Sequence, residues 1–364
     1  MVERRLLKNF DFALLAAAIA IVIYGCMTIW SASKGNVGLV HRQMVWAVIG
    51  LVAAVIAASI DHGIYNRMAG KLYVIGILML LAVHFAGTKI KGSQRWIGYG
   101  ALNIQPSEIV KIILIVALAV FLVRRLDEIR GPKTFALSFL YVSVPMLLIF
   151  RQPDLGTSLV FLAIWLAMIF ITGTAIRNIA VFAGTLIVLG LVFWNTGIIK
   201  PYQKARLITF VNPSADPRGA AYHVTQARIA IGSGHIFGKG WRRGTQRELG
   251  FVPEPHTDFI FTVVGEELGF AGASALVILY FILLWRGLDI MSAVEDPLGR
   301  AIAAGIVGML FFHVLVNIGM NVGVLPVTGV PLPMFSYGGS SLMANLIAIG
   351  LLEGISMRRH RISF

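Results

Sequence analysis

Charge is what this sequence has least of. Only 13% of its 364 residues are Asp, Glu, Lys or Arg, against 57% hydrophobic, and its mean hydropathy is +0.82. A water-soluble domain of this size has too little interior to hide so much apolar surface, so a soluble globular fold is excluded. Cysteine is almost missing. The single Cys26 lies inside an apolar run, so no intrachain disulfide can form. There is no solenoid-length repeat, no low-complexity stretch and no linker, which leaves one integral domain over residues 1–364. The phosphate-loop pattern is missing too: Ser233 to Gly240 fails it at both ends, with serine first and glycine after Lys239. His223, His235 and His256 lack metal-ligand spacing.

What is present is a succession of apolar runs, each near the roughly 20 residues that a bilayer-crossing helix needs. The pattern predicts an all-α polytopic membrane protein with about ten transmembrane helices, near 10–32, 43–60, 68–87, 107–123, 135–150, 156–172, 178–197, 259–285, 301–325 and 340–357. The first run follows a basic start but exceeds the apolar core of a signal peptide, and is expected to be a retained helix. Lys and Arg concentrate in the N-terminal segment, in alternate short loops and at the C-terminus. By the positive-inside rule both termini are expected in the cytoplasm. Much of the +14 net charge is therefore topology signal, and nucleic acid is not implied. Between the seventh and eighth spans a polar, extracytoplasmic loop of about 198–258 carries nine further cations, suited to anionic headgroups.

Three even-numbered spans open alike. Gln105-Pro106-Ser107-Glu108, Gln152-Pro153-Asp154 and Pro255-His256-Thr257-Asp258 each place proline at a helix start and an acid in or near the first turn. The tenth opens through Pro331 to Ser341, whose glycines and hydroxyls offer backbone N–H groups suited to phosphate. Glu266 and Glu267 would lie roughly 12 Å below the eighth helix start by rise alone. Charges so deep are expensive, so Asp258 to Gly269 is expected to be a short interfacial or re-entrant helix ahead of the true span.

The candidate residues each have a structural alternative. Asp258 could be a general base, or it or Thr257 could simply cap the eighth helix. Glu108 and Lys111, three apart, share a helix face: a polar pair facing substrate, or a carboxylate complementing the helix dipole beside a snorkelling lysine. Arg95-Trp96 would suit a sugar or serve as an interfacial anchor. Asp154 has Arg151 three residues before it and could be part of a structural ion pair. Arg206, Lys204 and Lys200 could clamp pyrophosphate or meet lipid headgroups; Arg206 is the preferred clamp, arginine offering bidentate contact. The stretch Gly219 to Ile231 reads as an amphipathic helix on the outer leaflet, scaffold more than site.

The combination Gly238-Lys239-Gly240-Trp241-Arg242-Arg243-Gly244-Thr245-Gln246, Pro253-Glu254-Pro255-His256-Thr257-Asp258-Phe259-Ile260-Phe261 and Gly265-Glu266-Glu267-Leu268-Gly269 resembles the SEDS family (shape, elongation, division and sporulation), membrane glycosyltransferases that polymerise peptidoglycan. Lys91 to Trp96, Gln105 to Glu108 with Lys111, Gln152 to Thr157, Tyr202 to Arg206 and Pro331 to Ser341 extend the resemblance along the whole chain. Gly-Lys-Gly-Trp followed by Gly-Thr-Gln is nearer the elongation branch than the division branch. Pro255 is a small departure from the pattern.

The resemblance implies a bacterial inner-membrane enzyme that extends glycan strands from lipid II outside the cytoplasmic membrane. It implies Asp258 as the essential acid, with Glu108, Lys111, Arg95, Trp96, Asp154, Tyr202, Arg206, His256, Thr257, Ser336 and Ser341 as substrate-binding positions. One acid suits this chemistry: a glycosidase protonates its leaving alcohol and needs two carboxylates, whereas pyrophosphate leaves without a proton. No cofactor is indicated, although a divalent cation bridging Asp258 and pyrophosphate is compatible with the sequence. The implied partners are a monofunctional class B penicillin-binding protein and elongation-complex membrane proteins. The alternatives are a lipid II flippase, whose usual marks, midplane polar residues and inverted repeats, are not evident, and a division or sporulation polymerase of the same family.

Overall fold

The computed structural model describes residues 9–90, 93–99, 102–196, 204, 208–212, 220–245, 249–251 and 255–358. In chain order they form α1 (Phe12–Ala32), α2 (Val37–Ser59), α3 (His62–Ala86), β1 (Thr88–Ile90), β2 (Ser93–Tyr99), β3 (Leu102–Ile104), α4 (Pro106–Val123), α5 (Pro132–Arg151), α6 (Leu155–Ile171), α7 (Ile176–Asn195), α8 (Ala220–Ser233), α9 (Ile260–Ala293), α10 (Pro297–Val322) and α11 (Gly339–Met357). Among the described residues nine helices are long and apolar enough to cross a membrane; α6, at 17 residues, is the shorter apolar helix of the expected ten. The chain is a multi-pass, all-α membrane protein with one small sheet.

Side-chain caps set several of the boundaries. Asp11, Asn36, Asp61, Asp154 and Asp296 each accept a backbone N–H from the first turn of the helix that follows, satisfying donors that the helix itself leaves unpaired. Asn36 and Asp61 therefore start α2 and α3 six residues ahead of the hydropathy-based boundaries. The one sheet, in antiparallel order β1-β2-β3, was not expected from the sequence. It folds the segment between α3 and α4 into pairs such as Thr88 with Trp96 and Ile97 with Ile104, and so puts Arg95 and Trp96 on a strand.

Three helices, α4, α10 and α11, are buried over most of their apolar length, whereas the apolar window of α7 has no buried residue and lies on the rim. Between helices in lipid there is little hydrophobic drive, so close backbone approach and van der Waals contact carry the packing. The α2–α11 pair shows this: a Cβ on Gly350 would overlap the carbonyl oxygen of Ala54, and one on Gly354 would stand 2.9 Å from the carbonyl oxygen of Ala58.

The eighth span is broken as its buried charges require. Within α9, Gly269 is non-helical (φ 66°, ψ −160°), separating a short helix that starts at Ile260 from the long one that follows. The break frees backbone groups that lipid could not satisfy, and residues 235–240 pair with them. Phe270 and Ala271 donate to the carbonyls of His235 and Ile236, while Lys239 and Gly240 donate to those of Glu266 and Glu267. Glycine is obligatory at Gly238 (φ 78°), where a Cβ would overlap the backbone of Glu267.

A Gly350→Val substitution should force α2 and α11 apart and destabilise the protein by about 1–3 kcal/mol or more. Gly184→Ala on exposed α7, where a Cβ meets nothing within 4 Å, should not. Melting temperatures in detergent compare the two.

Candidate active site

Asp258 lies in a turn that leads into the short helix of α9. The helix cap is Phe259, which makes no side-chain cap bond. The backbone around Asp258 is held from two sides. From α10, the Asn317 amide donates to the Asp258 carbonyl (3.0 Å) and to the Val330 carbonyl (2.8 Å), and Asn321 donates to the same Asp258 oxygen (3.1 Å). From the 331–337 segment, Tyr337 N–H donates to the His256 carbonyl (2.9 Å). The Ser336 hydroxyl accepts from Leu332 N–H (2.9 Å) and donates to the Thr257 carbonyl (2.7 Å). The His256 and Tyr337 rings meet edge to face. His256, Thr257 and Asp258 stay partly exposed, while Asn317 and Asn321 are fully buried. The Asp258 carboxylate faces Gly329, where a Cβ would stand 3.4 Å from Oδ2.

The 331–341 segment is itself tied down. Gln43 on α2 donates to the Ser336 carbonyl (3.1 Å) and accepts from Gly338 N–H (3.2 Å), and the Ser340 hydroxyl accepts from Gln105 N–H (3.3 Å). Ser341 sits at the α11 start and accepts from Asn345. The N-terminus expected to meet phosphate is thus partly occupied by protein groups, and Ser336, 4% exposed, supports the turn.

Glu108 and Lys111 form an ion pair of 2.9 Å with side chains 3% and 1% exposed. Both groups are buried, and Lys111 Nζ lies 3.1 Å from His313 Nε2 on α10. Arg95 and Asp154 are also brought together. Asp154 caps α6 through Thr157 N–H (3.1 Å) and pairs with Arg95 (3.3 Å), so its ionic partner is Arg95 and not the adjacent Arg151. Arg95 also donates to the carbonyls of Gln152 and Pro153, latching the sheet onto the α5–α6 corner. Trp96, beside it on β2, accepts a bond from Thr88 through its carbonyl. Tyr202, Arg206 and Lys200 lie outside the described residues, while Lys204 donates to the Trp194 carbonyl (2.6 Å).

Sequence reading missed His313, Asn317 and Asn321. The signal was available: three polar side chains at intervals of four in an apolar helix share one face. It missed, too, how the buried acids of the short helix are paired. Lys239 Nζ meets Glu266 Oε1 (2.8 Å) and the Thr245 hydroxyl (2.8 Å), and Glu267 accepts from the Ser31 hydroxyl (2.5 Å) and Arg242 N–H (3.0 Å). The Gly238–Thr245 segment thereby clamps the helix that Asp258 precedes. Among the described residues no three His, Cys, Asp or Glu side chains gather to hold a metal.

Fold and site together define a multi-pass membrane protein with a buttressed acid at a helix start. A sequence model of the cell cycle proteins FtsW, RodA and SpoVE matches residues 6–361. The chain is 40% identical over 357 residues to the peptidoglycan glycosyltransferase MrdB of Escherichia coli strain K12, covering 98% of this chain and 95% of that protein. A chain solved in work on the coordination of polymerization and crosslinking by a peptidoglycan synthase complex shares its fold with a TM-score of 0.82, 33% identity, and coverage of 97% of this chain and 99% of that one. The rod shape determining protein RodA of Thermus thermophilus gives 0.71 at 31% identity, over 97% and 98% of the two chains. This chain belongs to the FtsW/RodA/SpoVE family.

Removing the cation from the clamp tests its electrostatics. Lys239→Met should remove the Lys239–Glu266 ion pair and destabilise the protein by about 2–4 kcal/mol. Adding Glu266→Gln should recover part of that loss, and a double-mutant cycle on thermal stability measures the coupling.

Proposed function

We infer that the chain is a peptidoglycan glycosyltransferase of the elongation type, polymerising lipid II outside the cytoplasmic membrane with Asp258 as general base. The observation that carries this reading is the hold on Asp258. Its backbone is fixed by two buried asparagines and by the 331–337 segment. A base must be held within hydrogen-bond reach of the proton it takes, and a fixed main chain beside a partly exposed carboxylate meets that requirement.

In the proposed reaction, Asp258 accepts the proton of the acceptor's GlcNAc 4-hydroxyl. That oxygen forms the new glycosidic bond by attacking the anomeric carbon of the donor's terminal MurNAc from the face opposite the phosphate. The carbon–oxygen bond to pyrophosphate breaks, α becomes β, and undecaprenyl pyrophosphate departs with the electron pair. Asp258 then returns its proton to water. Cations of the long loop, Arg206 foremost, would stabilise charge developing on the leaving group. The elongation assignment brings the sidedness with it: both termini in the cytoplasm, and the Asp258 turn at the opposite face of the bacterial inner membrane. A class B penicillin-binding protein that cross-links the strands would be the partner, within a larger elongation complex of membrane proteins.

Purified protein with its cognate penicillin-binding partner should polymerise lipid II, and Asp258→Asn and Asp258→Ala should each lose ~10²–10⁴-fold in rate while folding and binding the partner as wild type does. Undiminished polymer from either variant would remove Asp258 from the chemical step.

A further inference from the structure

His313 is 1% exposed and joins three segments: its own α10, α4 and the backbone at Pro331. Its Nε2 lies 3.1 Å from Lys111 Nζ, and its Nδ1 lies 3.1 Å from the Pro331 carbonyl oxygen. Chemistry settles which nitrogen carries hydrogen. A lysine in contact with Glu108 at 2.9 Å is an ammonium, which can only donate. Nε2 is then the acceptor, so Nδ1 bears the hydrogen and donates to Pro331. The imidazole therefore reads as neutral and connects a buried cation on α4 to the backbone that begins the 331–337 segment.

Both routes onward lead to Asp258. One turn along α10, Asn317 holds the carbonyls of Val330 and Asp258, so His313 and Asn317 grip consecutive residues, Pro331 and Val330. Beyond Pro331, Ser336 and Tyr337 bond the carbonyls of Thr257 and His256. The Glu108–Lys111 pair, by contrast, has almost no exposed surface for an anion to reach, and the carboxylate offsets the ammonium charge. A buried pair of this kind is weak evidence for stability, and its best-attested use is to fix register between packed elements.

We propose that His313 is a positioning residue for the transferase reaction: with Lys111 and Glu108 it forms a buried strut that fixes Pro331, and through it the turn carrying Asp258. This rests on the glycosyltransferase reading for its effect on rate, but not for its effect on structure. The strut acts on the geometry of the base and not on the hold on the donor. Its loss should therefore appear in kcat, with KM and the affinity for undecaprenyl pyrophosphate nearly unchanged.

The test compares His313→Leu with His313→Gln in the full-length protein with its partner. Glutamine can both accept from Lys111 and donate to Pro331; leucine can do neither. Displacing a catalytic group by about 1 Å can cost ~10²-fold, so His313→Leu should lower kcat by roughly 10–100-fold. KM for lipid II and the Kd for undecaprenyl pyrophosphate should stay within about 3-fold, and His313→Gln should restore most of the rate. Amide hydrogen exchange gives a readout independent of turnover: the Tyr337 N–H, bonded to His256, should exchange faster in His313→Leu and return toward wild type in His313→Gln.

Wild-type kcat in His313→Leu would overturn the proposal. So would a parallel loss of undecaprenyl pyrophosphate affinity, which would make Lys111 a ligand contact. Equal defects in the two variants, or unchanged Tyr337 exchange in His313→Leu, would do the same. If wild type makes no glycan while the exchange pattern holds, the transferase reading fails and the strut stands.

Discussion

Two asparagine amides converging on one carbonyl oxygen, that of Asp258, are the contact on which the rest of the site depends. In an apolar bundle every polar group must find its partner inside the protein, so a carbonyl turned toward α10 needs donors built into that helix. Asn317 and Asn321 supply them. Because Asn317 also holds Val330, the same side chain joins the start of the eighth span to the segment that enters the eleventh helix. A partly exposed carboxylate thus rests on a main chain that is held on two sides.

The same constraint explains the broken eighth span. Glu266 and Glu267 are each 2% exposed, and no continuous lipid-facing helix could carry them. The chain breaks at Gly269, and the Gly238–Thr245 segment supplies backbone donors to the freed carbonyls and a lysine to one acid. Glycines at 234, 238 and 269 allow that close approach. The Gly238–Thr245 segment therefore forms part of the same packed unit as the helix beside Asp258.

Much of this was legible in the sequence, because hydropathy and charge placement follow from the bilayer. The spans and the break within the eighth were accessible, the latter because two adjacent acids cannot sit deep in lipid. Asp258 stood out by its place at the polar–apolar boundary and by the motif around it. The partners were not legible. Arg95 beside Trp96 offers a sugar or headgroup contact or an interfacial anchor; that a strand carries it to Asp154, 59 residues on, is not visible, because short strands between long helices leave little periodic signal. Glu108 and Lys111 were recognised as a pair, yet their burial depends on how α4 packs against α10. His313, Asn317 and Asn321 show the limit most clearly. Their spacing marks one face of a helix, but only the fold shows that this face meets Asp258.

The most direct test of the central claim, that Asp258 is the base, is a structure of the Asp258→Asn protein with its partner and two lipid II molecules bound. The account predicts the acceptor's GlcNAc 4-hydroxyl within roughly 3 Å of the residue 258 side chain, with the donor's anomeric carbon next to that oxygen. An acceptor hydroxyl held by another ionisable side chain, with residue 258 too far away even for a bridging water, would contradict it.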